Sequence, residues 1–127
     1  MRAIDTNVLV RLIVRDDRKQ TAAAEAFVAD RGAWVPVLAL AEATWVLRSV
    51  YNLEADRIAL AIEMLLDHRS LVIEDHEAVR RAWDLFRARP SLGFSDCLML
   101  EVARRSSHLP LGTFDRNLAK TSGAVKL

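Results

Sequence analysis

Short apolar runs alternate along the chain with longer stretches in which apolar residues recur every three or four positions. Arg2 to Asp5 predicts a short buried strand, and Asn7 to Val14 an apolar helix with Arg11 and Arg15 four apart on one ridge. Asp16-Asp17 interrupts that helix. Asp17 is placed to cap the next one, whose apolar stripe is Ala23, Ala24, Phe27 and Val28 and whose stop is Gly32. Ala33-Trp34-Val35 predicts a second strand ended by Pro36. Val37 to about Val50 is helical, Tyr51-Asn52 turns the chain, and Ile58, Ala61, Ile62 and Leu65 mark an amphipathic helix. Leu71-Val72-Ile73 predicts a third strand. Asp75 is placed to cap a helix with Val79, Ala82, Trp83 and Phe86 inward, ended by Pro90. Ser95 is the expected cap of a helix running to about Ser107. Pro110 to Phe114 predicts a fourth strand, Asp115 starts a short helix ending before Gly123, and Ala124-Val125-Lys126 is a last, edge strand.

Strands alternating with helices or helix pairs argue for an α/β fold, with a mainly parallel central sheet of four to five strands flanked by helices. The same periodicity puts Trp34, Trp45 and Trp83 at core positions.

Composition narrows the class. The 127 residues suit one domain over 1–127, large enough to bury roughly two-thirds of the surface it exposes unfolded. Hydrophobic residues make up 52% of the chain, with only 4 Gly and 3 Pro, which excludes disordered and collagen-like classes. A single Cys forms no internal disulfide and fits a cytoplasmic setting. No signal-peptide pattern precedes Asp5, and no apolar run reaches the ~20 residues of a membrane span. The 18 basic and 17 acidic side chains nearly cancel, so partners must be read from patterning. Arg11, Arg15, Arg18 and Lys19 follow the first strand, and Arg116 and Lys120 follow the fourth. These are the candidate phosphate contacts.

Four acids stand apart from the solvated ones. Asp5 ends the first strand and Asp115 follows the fourth. Glu42 has Leu38, Ala39, Trp45 and Val46 as its helical neighbours, which places it on an inward face. Asp96 has Met99, Leu100 and Ala103 as its neighbours, whereas Glu101, Arg104, Arg105 and His108 form the polar ridge of that helix. Asp5, Asp96 and Asp115 also suit plain helix N-termini, and Glu42 a carboxylate paired with an arginine. Together, four acids converging at one end of a sheet would repel one another unless a divalent cation joined them. Oxygen-only ligation suits Mg²⁺ or Mn²⁺ rather than zinc.

The motifs Asp5-Thr6-Asn7-Val8-Leu9, Glu42-Ala43-Thr44-Trp45-Val46-Leu47, Phe94-Ser95-Asp96-Cys97-Leu98 and Thr113-Phe114-Asp115-Arg116-Asn117-Leu118 resemble those of PIN-domain ribonucleases. They are most similar to the VapC toxins of prokaryotic toxin–antitoxin pairs. The resemblance spans essentially the whole chain. It implies a three-layer PIN-like fold and a Mg²⁺- or Mn²⁺-dependent endoribonuclease leaving 5′-phosphate and 3′-hydroxyl ends. It also implies a homodimer inhibited by a VapB-type antitoxin whose C-terminal segment enters the active-site groove. Carried over by motif, Asp5, Glu42, Asp96 and Asp115 are the catalytic acids and metal ligands. Thr6, Asn7, Thr113 and Asn117 support them. Asn117 stands where many relatives have a further acid, which implies one firm metal and a weaker second.

Two other enzyme or regulator classes place an Asp after a first strand. A haloacid-dehalogenase-type phosphatase needs a second Asp two residues on, where this chain has Asn7. A response-regulator receiver needs paired acids at the first strand and leaves Glu42 without a role. An inactive PIN-like RNA-binding module is the non-enzymatic alternative, and the four intact acids argue against it.

Overall fold

The computed structural model describes residues 1–127. Its chain contacts divide into two units, Met1–His76 and Glu77–Leu127.

In the first unit the order is β1 (Arg2–Ala3), α1 (Thr6–Val14), α2 (Arg18–Arg31), β2 (Ala33–Val35), α3 (Val37–Ser49), α4 (Ala55–Asp67) and β3 (Leu71–Ile73). The strands pair in parallel in the order β1-β2-β3. Each parallel step needs a crossover, and here helix pairs supply it. α1 packs on α2 and α3, and α4 on α3 and β3. Leu9, Val28, Leu40, Leu47, Ile62, Val35 and Ile73 are buried at the centre.

The helix ends follow local chemistry. The Asp5 and Asp17 side chains accept from the backbone N–H groups of Val8 and Gln20, capping α1 and α2. α1 ends on Arg15 in the left-handed region, φ 60°. α2 ends at Gly32, φ 71°, where an added Cβ would lie 3.0 Å from the Ser70 carbonyl oxygen. A side chain is excluded there twice over, by conformation and by space.

The first strand departs from the expected buried run. It is two residues long, Arg2 and Ala3 are exposed, and only Ile4 beyond it is buried. It is the edge strand of its sheet. In β2 and β3 the side chains alternate, with Ala33, Val35, Leu71 and Ile73 inward. Ala3, Trp34 and Val72 share one cross-strand row and are exposed, Trp34 at 37% and Val72 at 47%. Trp34 is therefore not a core residue. A three-residue strand has only two faces, and the two smaller neighbours took the inner one.

The second unit contains α5 (His76–Ala88) from its second residue on, α6 (Phe94–Arg105), β4 (Leu111–Thr113), α7 (Arg116–Ala119) and β5 (Ala124–Lys126). β4 and β5 pair in parallel around α7, with Gly112 opposite Val125. The five expected strands are thus present and all pair in parallel, as a sheet of three and a sheet of two. Trp83 is buried as expected, and Phe86 meets Phe94 edge-to-face with ring centres 5.8 Å apart. α6 starts one residue before Ser95. Gly93 is its N-cap and makes no side-chain bond.

α6 also reverses an expectation about its acids. Glu101, expected on the polar ridge, is buried and meets Arg104 at 3.2 Å. Arg104 continues to the Ser122 carbonyl at 2.8 Å. The arginine neutralises the buried acid and ties α6 to the segment before β5, which spacing on one helix does not reveal. Gly123, φ 96°, makes this possible, because a Cβ there would stand 2.9 Å from the Arg104 guanidinium.

No helix is long and apolar enough to cross a membrane.

Candidate functional site

The candidate acids fall as Asp5 and Glu42 in the first unit and Asp96 and Asp115 in the second. Asp5 follows β1 and its Oδ1 accepts from Val8 N–H at 3.0 Å, so one carboxylate oxygen is fixed by the helix it caps. Thr6, the next residue, donates its hydroxyl to Glu42 Oε2 at 2.8 Å. The first turn of α1 therefore holds the carboxylate of α3 in place. Glu42 is exposed, not inward as its neighbours predicted. Leu38 and Trp45 on the same face are exposed too, at 69% and 64%. The buried side of α3 is Ala39, Leu40, Ala43, Thr44 and Leu47. Both faces of this helix are largely apolar, so periodicity could not say which one packs.

In the second unit Asp115 caps α7. Its Oδ1 accepts from Asn117 and Leu118 N–H at 2.8 and 3.0 Å. The Thr113 hydroxyl accepts from Asp115 N–H at 3.0 Å and sets the turn after β4. Asp96 lies in the first turn of α6. It is half-buried and its side chain accepts no hydrogen bond from the chain. Burial, and then the charge of Asp115, hold its pKa above the usual Asp value. The adjacent Cys97 is a buried thiol pushed up to about 12, first by burial and then by Asp96. It is inert packing rather than a nucleophile.

Spacing did not single out Arg89. Its guanidinium donates to Thr121 Oγ1 at 2.6 Å, to Asn117 Oδ1 at 2.8 Å and to the Asn117 carbonyl at 3.0 Å. The Asn117 amide in turn donates to Ser91 Oγ at 3.0 Å. Asn117 is thus committed to a structural junction. The only sequence signal is an arginine just beyond a helix end, which is too common to stand out.

The basic candidates divide. Arg11 bonds Gln20 and Asp16 at 2.7 Å and Tyr51 at 3.1 Å. The Tyr51 hydrogen bond foremost, opposed by burial and helped by the Asp16 charge, holds it still more firmly protonated. Arg15 pairs with Glu25. Arg116 and Lys120 are exposed, and no acid pairs with them. Beside Asp5 an open cleft of about 700 Å³ is lined by Asn7, Val8, Arg11, Gln20, Ala24 and Phe27, among others.

No group of three or more His, Cys, Asp or Glu side chains is arranged to hold a metal ion. The donor set itself is hard: carboxylate oxygens, with no histidine or reactive thiol beside them. The charge of Asp115 raises the need for a counter-charge at Asp96. These features fit a hard divalent cation.

The curated proteins contain no sequence that matches this chain. The PIN domain family matches residues 3–124, a span that includes all four candidate acids and the whole of β2, β3 and β4. The chain belongs to the PIN-domain family.

Proposed function

We propose that this protein is a divalent-metal-dependent endoribonuclease, and that it acts as the toxin of a toxin–antitoxin pair, as a homodimer held inactive by a VapB-type antitoxin. PIN domains are generally nucleases, typically with divalent metal ions. The observation that carries the reading in this chain is Asp96, half-buried, unbonded and facing the charge of Asp115. A protein keeps such a repulsive pair where a cation relieves it. The order of the four motifs, which follows that of VapC toxins, supports the toxin role.

Asp5, Glu42, Asp96 and Asp115 would hold Mg²⁺ or Mn²⁺. When bound, the ion supplies charge neutralisation at the scissile phosphate and a water of lowered pKa. The chain's own residues do the positioning. Thr6 fixes the Glu42 carboxylate, and the caps on α1 and α7 fix one oxygen each of Asp5 and Asp115. Thr113 shapes the turn before Asp115. Asn7 lines the cleft beside Asp5 and would contact substrate bound there. Asn117 contributes through the fold, since its side chain is taken up by Arg89 and Ser91.

The test is Mg²⁺- or Mn²⁺-dependent cleavage of structured RNA. Asp5→Asn and Asp96→Asn should each abolish cleavage while circular dichroism shows an intact fold, and excess EDTA should abolish it in the wild type. Full activity in either variant, or in EDTA, rejects the assignment.

A further inference from the structure

The outward face of α3 carries three different chemistries in a row. Glu42, Trp45 and Arg48 follow at three-residue steps, which places them on one ridge with neighbouring Cβ atoms ~5–6 Å apart. From Glu42 to Arg48 the rise is ~9 Å along the axis. The Trp45 indole is 64% exposed, and its N–H has no acceptor in the chain. A tryptophan normally brings much apolar area into a core or an interface, and this one leaves most of its own in solvent. Arg48 is only loosely held, 4.0 Å from Glu54 with both side chains mostly exposed.

We propose that this ridge is a single-strand RNA subsite, in which Trp45 stacks an unpaired base beside the cut and Arg48 contacts the adjoining phosphate. The proposal rests on the nuclease reading above and names the residues by which that site grips its substrate. The neighbours of Trp45 decide the kind of ligand. Directly beside it on the ridge stand an acid, an arginine and Ser49, whose hydroxyl donates to the Trp45 carbonyl at 2.7 Å, and the exposed Leu38 lies on the same face only beyond Glu42. A protein hot spot is ringed by contacts that shut out water, whereas an indole between charged groups suits a flat base on a charged backbone. Unpaired bases in RNA are bound in just this way, by aromatic stacking plus a cation on the phosphate. The Thr6–Glu42 bond anchors one end of the ridge, so a base on Trp45 lies one helical turn from a candidate metal ligand.

The experiment is equilibrium binding of a short single-stranded oligoribonucleotide, labelled for anisotropy, in EDTA so that nothing is cut. Trp45→Ala should weaken binding by roughly 5- to 150-fold. Trp45→Phe, which keeps an aromatic face, should recover most of the loss. Abasic substitution in the oligomer should weaken binding to the wild type and make little difference to Trp45→Ala. RNA should also quench more tryptophan fluorescence in the wild type than in Trp45→Ala. Because Trp45 is exposed, both variants should unfold at the wild-type denaturant midpoint. Unchanged RNA affinity in Trp45→Ala overturns the proposal. So does unchanged affinity accompanied by a shift from dimer to monomer in sedimentation, which would assign Trp45 to self-association. Failure of the nuclease reading shows separately, as RNA that binds and is never cleaved with Mg²⁺ or Mn²⁺.

Discussion

Asp96 holds its proton more tightly in the folded chain than in the unfolded one. Its ionisation therefore works against the fold, and the deficit grows as pH rises from the ordinary value of 3.8 through the raised one. Asp96→Asn should accordingly melt a few degrees above the wild type at pH 7 in EDTA, on a scale where ~1 kcal/mol is roughly 4 °C. The gap should close toward pH 4. Mg²⁺ should raise the melting temperature of the wild type more than that of the variant. Calorimetry with and without the ion checks all three, and a variant less stable than the wild type at pH 7 contradicts the account. This residue also shows what the sequence could convey. Its first-turn position and apolar neighbours were legible, because they depend on helical spacing alone. The charge facing it was not, since Asp115 is brought near only by the packing of the second unit. Glu42 shows the reverse case: its identity and spacing were legible, but a helix apolar on both sides does not say which side meets solvent. Glu101 was misplaced because its partner Arg104 draws it inward.

Among the elements, α7 is the one least able to stand alone. It has four residues, too few to form a helix unaided. Asp115 caps its start, and Arg89 reaches its carbonyl, its amide side chain and Thr121 beyond it. Arg89→Ala should remove three charge-assisted bonds and leave acceptors unpaired, with a stability loss of about 1.5–3 kcal/mol. The amides of Ala119 and Lys120 should lose hydrogen-exchange protection first. Uniform loss across the chain, or none, would show that Arg89 is not the fastening of this helix. The strands were well placed by sequence because three β-branched or bounded apolar residues suffice to mark them. The extent of β1 was not, because an edge strand is defined by the neighbour it pairs with.

Over the whole molecule the formal charge is +1, and much of the positive side is already spoken for by internal acids. Arg11 and Arg15 are bound in this way. Arg116 and Lys120 are not, so part of the salt dependence of RNA binding should reside with them. Replacing both with Gln should flatten the slope of log affinity against log salt by about 0.7 for each phosphate no longer neutralised on single-stranded RNA. Arg15→Gln should leave the slope unchanged. Measurements between about 50 and 200 mM salt, the range over which such slopes are usually read, separate the two classes, and an unchanged slope in the double variant assigns Arg116 and Lys120 to solvation alone.

The bond from Val8 N–H to Asp5 has a bearing on descent. Position 5 answers to two demands, the start of α1 and the candidate chemistry, whereas Glu42 caps nothing. In a lineage that abandons cleavage, selection on Glu42 relaxes at once, but position 5 stays confined to the small set of residues that can begin a helix, Asp, Asn, Ser or Thr. Silenced descendants of this chain should therefore be recognisable by the loss of the acid at 42 while 5 still looks intact. An aspartate surviving at 5 is weak testimony of a working enzyme, and the glutamate is the better witness.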